Sequence, residues 1–399
     1  MTSIASRFPG LANGWARFDG PAGTQMVDVA IRAMSDWASS GHNANTGGSF
    51  LAAEECDALL ARTRDVVGQL LNADPRGICL GANMTTMTFA FTRAIARTFT
   101  PNDRVVGTML DHDANVSPWR VACETSGAEH VLAPFDVDSG ILDPARVIEL
   151  ITPNTKWVAI TGASNLIGTK PSVRAIADRA HAVGALAWVD GVHHAAHEFV
   201  DVTALGADFY VCSPYKFLGP HCAVLGASPD LLEAIVPDKL LPATNVVPER
   251  FEFGTLPYEM MAGATAAVDF IAAIAPGGAT TRRERLRASY EAIHAHETRL
   301  RKRIEVAVAE LGEWYEMHSR AADRTPTLLA TVAGGRSAEA SRFLAARNVQ
   351  APAGSFYAYE AFMHLGTADT HGLRMGLAPY NDDSDVDRLI DGLRTFVGA

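Results

Sequence analysis

Between residues 77 and 226 the sequence switches repeatedly between two hydrophobic periods, and that alternation limits the fold more than any other feature. Apolar runs of strand length are predicted at Gly77–Leu80, Arg104–Gly107, Trp157–Thr161, Leu186–Asp190, Phe209–Cys212 and Ala223–Gly226. Helical spacing separates several of them. Val173, Ile176, Ala177, Ala180 and Val183 fall on one such stripe, closed by the helix-stopping Gly184. Upstream, Cys56, Leu59, Leu60, Thr63, Val66, Val67, Leu70 and Leu71 make another. Apolar strands with helices between them predict an α/β fold, a mostly parallel sheet covered on both faces.

At 399 residues the chain exceeds one ordinary core, so more than one unit is expected. The texture changes after residue 255. Thr281–Leu311 reads as a long charge-rich helix whose TRRER and RLRKR runs are solvated faces, followed by a strand at Thr327–Val332 and a closing helix near Val386–Val397. The expected division is an N-terminal segment 1–20, a large domain 21–275 and a smaller α+β domain 276–399. The Ala-Pro-Gly-Gly stretch at Pro276 marks the last boundary.

Charge and cysteine usage narrow the class of function. A formal net charge of −11 argues against a general nucleic-acid or anionic-membrane surface. No apolar run approaches the roughly 20 residues that span a bilayer, and MTSIASRFPG lacks a secretion signal. Five scattered cysteines without C-x-x-C spacing suit reduced, buried thiols in a cytoplasmic protein. The glycine-rich G-x-G-x-x-G turn of a dinucleotide-dependent dehydrogenase is absent from the sequence.

Open α/β sheets bind ligands beyond the carboxyl ends of their strands. The predicted strand 186–190 delivers Asp190, then Gly191, Val192, His193 and His194; the predicted strand 209–212 delivers Ser213, Pro214, Tyr215 and Lys216. Asp190 and Lys216 are 26 residues apart (216 minus 190), one βαβ-like step. A lysine and a carboxylate at neighbouring strand ends suit pyridoxal phosphate: the amine forms an imine with its aldehyde, and the carboxylate keeps the pyridine nitrogen protonated. A buried Lys–Asp ion pair is the structural alternative. Gly81 and Met84-Thr85-Thr86 read as a helix start able to cradle an anion, or as a plain cap. His112, Asp113, His193 and His197 form a rival set, that of a metal-dependent hydrolase, although no H-E-x-x-H occurs.

The segment WVDGVHHAAHEFVDVTALGADFYVCSPYKFLGP, with LDHDANVSPW (Leu110–Trp119) and TGASNLIGT (Thr161–Thr169), resembles the class-V aminotransferases, especially their cysteine desulfurase and selenocysteine lyase branch. The resemblance implies pyridoxal-phosphate fold type I, pyridoxal 5'-phosphate as cofactor and no metal. Lys216 would be the Schiff-base lysine and proton carrier, and Asp190 the partner of the ring nitrogen. His193 would donate to the ring hydroxyl, Asn165 would lie near that edge and the substrate carboxylate, and His112 would stack on the ring and assist proton transfer. Thr85, Thr86 and Ser213 would surround the phosphate. Tyr215 stands where the branch often has histidine. Arg374, in GLRMGLAPYND, would grip the substrate α-carboxylate with its planar fork. RFEFGT (Arg250–Thr255) would place Gly254 and Thr255 against the cofactor phosphate of a neighbouring subunit, in a homodimer.

One element of that branch is missing. Its desulfurases carry sulfur on a mobile C-terminal cysteine, whereas the last 177 residues here (399 minus 222) hold none. The corresponding loop reads NVQAPAGSFYAYEAF, offering Ser355, Tyr357 and Tyr359. Serine is a far weaker nucleophile at neutral pH, and Cys212 and Cys222 read as packed strand residues. The expectation is therefore lyase or transferase chemistry on a small amino acid, anchored on Lys216 and without a persulfide. An aminotransferase proper with a keto-acid acceptor is the alternative, and a non-catalytic protein that kept the fold is a third.

Overall fold

The computed structural model describes residues 4–275 and 277–398. Its centre is a seven-stranded sheet built from β1 (Ile78–Gly81), β2 (Arg104–Thr108), β3 (Glu129–Ala133), β4 (Thr155–Thr161), β5 (Leu186–Asp190), β6 (Phe209–Cys212) and β7 (Ala223–Ala227). The spatial order is β1-β7-β6-β5-β4-β2-β3, and β7 runs antiparallel to both its neighbours while the other pairs are parallel.

The unbroken apolar runs have a direct cause: both sheet faces are buried. Val106, Val158, Ile160, Val189, Tyr210 and Cys212 join the core on one face. Val105, Trp157, Ala159, Trp188, Phe209 and Val211 join the core on the other. The second face is aromatic, with Trp188 stacked on Phe209 at 5.5 Å and Phe91 on Phe251 at 4.6 Å. Each such ring removes a large apolar area from water, so this layer dominates the local packing energy.

A four-stranded antiparallel sheet follows, from β8 (Tyr315–Met317), β9 (Thr327–Val332), β10 (Ala353–Gly354) and β11 (Gly372–Gly376), in the order β10-β11-β9-β8. Residues 16–19 pack with this unit: Ala16 and Arg17 pair with Val349 and Gln350, and Asp19 bridges to Gly376.

Helix Arg282–Glu310 starts at a capping box made by Thr281 and Glu284. Its Leu286, Tyr290 and Ile293 enter a core of the large sheet, and its Leu300, Ile304 and Val308 enter the core of the small one. The boundary expected at Pro276 lies outside the described residues. Among those residues no helix is long and apolar enough to cross a membrane.

Candidate active site

Register brings the chemistry to one edge. In the parallel set, Thr161 lies beside Asp190 and Asp190 beside Val211, so β4, β5 and β6 end together. The loop after β6 makes a short 3-10 turn, Pro214–Lys216, that turns the lysine back over that edge. A cavity results, lined by Lys216, Asp190, His193, His112, Asn165, Ser213, Tyr215 and Thr85. It shares lining residues with an outer cleft that adds Arg374, Phe89, Phe356 and Tyr357.

The two charged groups at its heart are both buried, Asp190 at 4% and Lys216 at 7% exposure. Burial pushes the Asp190 carboxyl up to about 6, opposed by the Val192 N–H at 2.9 Å and by the lysine. Burial also pulls the Lys216 amine down to about 7, helped by Arg374 and opposed by Asp190 and Asp19. Each group is thus driven toward its neutral form and restrained by the other's charge. The amine donates to the Pro21 carbonyl. Thr24 fixes the lysine turn: its N–H and hydroxyl bond the Tyr215 carbonyl at 2.9 and 3.0 Å, and its Oγ1 accepts from Leu218 N–H at 2.9 Å.

His112 caps the Asp113–Asn115 turn, and its Nδ1 accepts the Ala114 N–H at 3.0 Å. That bond leaves Nε2 to carry the proton of the neutral ring. Burial, with Lys216 and Arg374 nearby, pulls His112 down to about 4, so the ring is neutral at pH 7. His193 is held well below its ordinary value by burial. Its Nε2 lies 3.0 Å from Thr325 Oγ1 and 2.9 Å from Thr327 Oγ1, which ties the site to β9 and the residues just before it.

Arg374, central on β11 and 1% exposed, reaches across from the small sheet and donates to the Asn165 carbonyl at 3.1 Å. Burial lowers it to about 9. Asn165 donates in turn to the Phe356 carbonyl at 3.0 Å.

At the cavity's other end begins helix Met84–Ala96. Its cap is Asn83, whose Oδ1 accepts from Thr86 N–H at 2.8 Å and from the Thr86 hydroxyl at 2.9 Å. Thr85 faces both cavities, whereas Thr86 faces neither and its hydroxyl serves the cap. Gly254 and Thr255 are exposed and line neither cavity.

The four-residue metal set is not assembled. His197 pairs with Glu297 at 2.9 Å, His193 with the two threonines, and His112 with Ala114, and no group of three His, Cys, Asp or Glu side chains among the described residues could hold a metal ion. The sequence reading also missed Asn83, Pro21, Thr24, Phe89 and Phe356. Asn83 carried a usable signal, an Asn at the cap position of the helix. Pro21, Thr24 and Phe356 come from distant parts of the chain, and no local pattern marks them.

Whether pyridoxal phosphate fits can be judged from unused hydrogen bonds. Ser213 Oγ, His193 Nδ1, Asn165 Oδ1 and Arg374 Nε are buried without partners, and all four belong to residues lining these cavities. Buried polar atoms left unpaired are costly, so such a concentration marks a place built for a polar ligand. A helix N-terminus and a hydroxyl suit a phosphate, the buried amine an aldehyde, and the buried carboxyl a ring nitrogen. The residues present fit the group.

The sequence matches the family model described as Aminotransferase class-V over residues 17–389. The chain is 29% identical to the aminotransferase-like protein FGM3 of Gibberella zeae, covering 98% of this chain and 97% of that one. It is 27% identical to the cysteine desulfurase CsdA of Escherichia coli, covering 97% and 95%. The crystal structure of that CsdA, an S-sulfonic acid form, superposes with a TM-score of 0.86 at 25% identity, covering 99% of this chain and 98% of the other. The apo cysteine desulfurase of Thermococcus onnurineus shares the fold, with a TM-score of 0.87 at 21% identity, covering 100% and 99%. Class-V aminotransferases are enzymes that use pyridoxal 5'-phosphate. A match over nearly the whole length, carried on a fold type I architecture, places this chain in the class-V aminotransferase family.

Proposed function

We propose that this chain holds pyridoxal 5'-phosphate in the inner cavity through Lys216 and acts on an α-amino acid by lyase or transferase chemistry. The observation that carries the reading is that the buried Lys216 and Asp190 line one cavity together. When bound, the cofactor supplies an electron-withdrawing ring that loosens the bonds at the substrate α-carbon. Everything else falls to the chain. Lys216, at about 7, offers a neutral amine near pH 7 and afterwards holds or releases a proton at Nζ. Asp190 holds negative charge against the ring nitrogen. His193 and Asn165 present unpaired polar atoms to the ring's other edge, and Arg374 offers Nε to the substrate carboxylate. Ser213, Thr85 and the helix start beside them bind the phosphate.

All five cysteines are buried, and none lines either cavity. Burial raises the Cys222 thiol to about 12 and lifts that of Cys212. These facts favour chemistry without a persulfide, and they equally suit transamination with a keto-acid acceptor. Incubating the holoenzyme with an amino-acid panel, with and without keto acids, separates the two. Sulfide released from cysteine together with pyruvate and ammonia supports the lyase reading. Conversion of the cofactor to its amine form, reversed by a keto acid, supports transamination. No product of either kind sinks both.

The same proposal includes a homodimer in which Gly254 and Thr255 reach the neighbouring site. Its support is the exposed apolar surface just before them: Leu240, Leu241, Val246 and Phe253 are 72%, 96%, 63% and 48% exposed in the single chain. Sedimentation showing a monomer at micromolar concentration would remove this part.

A further inference from the structure

Beyond β10 the chain turns through Phe356 (φ 57°) and Tyr357 (φ 55°), two consecutive non-glycine residues in the left-handed region. L side chains seldom adopt that conformation, so neighbouring structure must hold it. Two hydrogen bonds do so from the large-sheet side. Asn165 Nδ2 donates to the Phe356 carbonyl at 3.0 Å, and the Asp113 N–H donates to the Tyr357 carbonyl at 2.6 Å. The rings are thereby placed. Phe356 lies with its centroid 3.7 Å from the Arg374 guanidinium carbon, and Tyr357 lies 5.7 Å from the His112 ring at a tilt of 31°.

We propose that the Phe356–Tyr357 turn is a specificity wall that selects an α-amino acid with a bulky apolar side chain. This rests on the reading above, in which the substrate carboxylate meets Arg374 and its α-carbon meets Lys216. Those two anchors leave the third substituent for the remaining wall of the outer cleft, where Phe89 joins Phe356 and Tyr357. A short side chain leaves that wall in contact with water and forgoes its burial. An acidic one fares worse. The cations lining the cleft, Lys216 and Arg374, are committed to the other anchors, and the nearest rim carboxylate belongs to Asp113. That rim is already satisfied within itself. The Ser117 hydroxyl contacts both Asp113 oxygens at 2.8 and 2.9 Å, and Arg120 donates to Ser117 at 2.6 Å.

The test titrates holoenzyme with L-leucine, L-phenylalanine, L-alanine, L-cysteine and L-glutamate, following the cofactor absorbance. Leucine and phenylalanine should bind at least about 10-fold more tightly than alanine or glutamate. Phe356→Ala should bring the leucine-to-alanine ratio within about 3-fold. Should that variant lose cofactor, Phe356→Leu and Tyr357→Ala report the same ratio. Small or acidic amino acids binding as tightly as leucine, or a ratio untouched by all three substitutions, overturns the wall alone. A cofactor spectrum that responds to no amino acid overturns the amino-acid reading beneath it as well.

Discussion

The inner cavity and the outer cleft meet at Lys216, yet they are built from different materials. The inner one is lined by residues carrying buried, unpaired polar atoms, Ser213 Oγ and His193 Nδ1 among them, on loops that continue the parallel strands. The outer one is walled by aromatic rings, and its Tyr357 is 76% exposed. Fixed polar groups with no partner suit one ligand of constant shape. An apolar wall on a turn suits a variable side chain. Cofactor chemistry constrains the inner space, and the outer one is free to vary with the substrate.

The comparison breaks most sharply at the lysine. Lys216→Ala should lower turnover by at least about 10³-fold, because covalent anchoring and proton carriage are lost together. Borohydride reduction and peptide mapping should place the cofactor on Lys216 in the parent protein and nowhere in the variant. Near-normal turnover would dissolve the distinction. Asp190→Asn should raise the barrier by at least about 3 kcal/mol, read as kcat, through loss of a preorganised charge.

Arg374→Lys probes the junction of the two spaces. It keeps the charge but removes the planar fork, and it should raise the amino-acid KM by about 10-fold while kcat moves less. Equal losses in both parameters would place Arg374 on the inner side.

The mildest effect is that of pH on cofactor capture by apoprotein. Only the neutral amine attacks an aldehyde, and Lys216 is pulled down to about 7. The capture rate should therefore fall about tenfold per unit below pH 7 and level off above it. A stopped-flow rate independent of pH between about 5.5 and 8.5 would contradict that.

Much of the inner cavity could be read from the sequence because its elements are buried on both faces. β5 and β6 begin and end where the apolar runs Leu186–Asp190 and Phe209–Cys212 predict. The strand β3 escaped notice because it lies at the sheet edge, where only Ala133 of its five residues is buried. Its Glu129 and His130 read as loop for the same reason. Helix Arg282–Glu310 was legible from its charge pattern, but its sharing between two cores was not, since periodicity shows a stripe and not what covers it. Lys216 and Asp190 announced themselves by residue type at strand ends. Pro21 and Thr24 did not, because they meet the lysine turn from 195 and 194 residues away. Phe356 carries no reactive group, so in the loop NVQAPAGSFYAYEAF the sequence singles out Ser355, Tyr357 and Tyr359 and not its ring.

That long helix bears on how the polypeptide can be divided. A cut at its start would strip the first body of Leu286, Tyr290 and Ile293. A cut past Ile293 would split one continuous helix, the first body keeping its capped start with Leu286, Tyr290 and Ile293 and the second an uncapped remainder with Leu300, Ile304 and Val308. Either cut breaks a single helix on which both cores are built, so the two sheets should melt as one cooperative unit and not in succession.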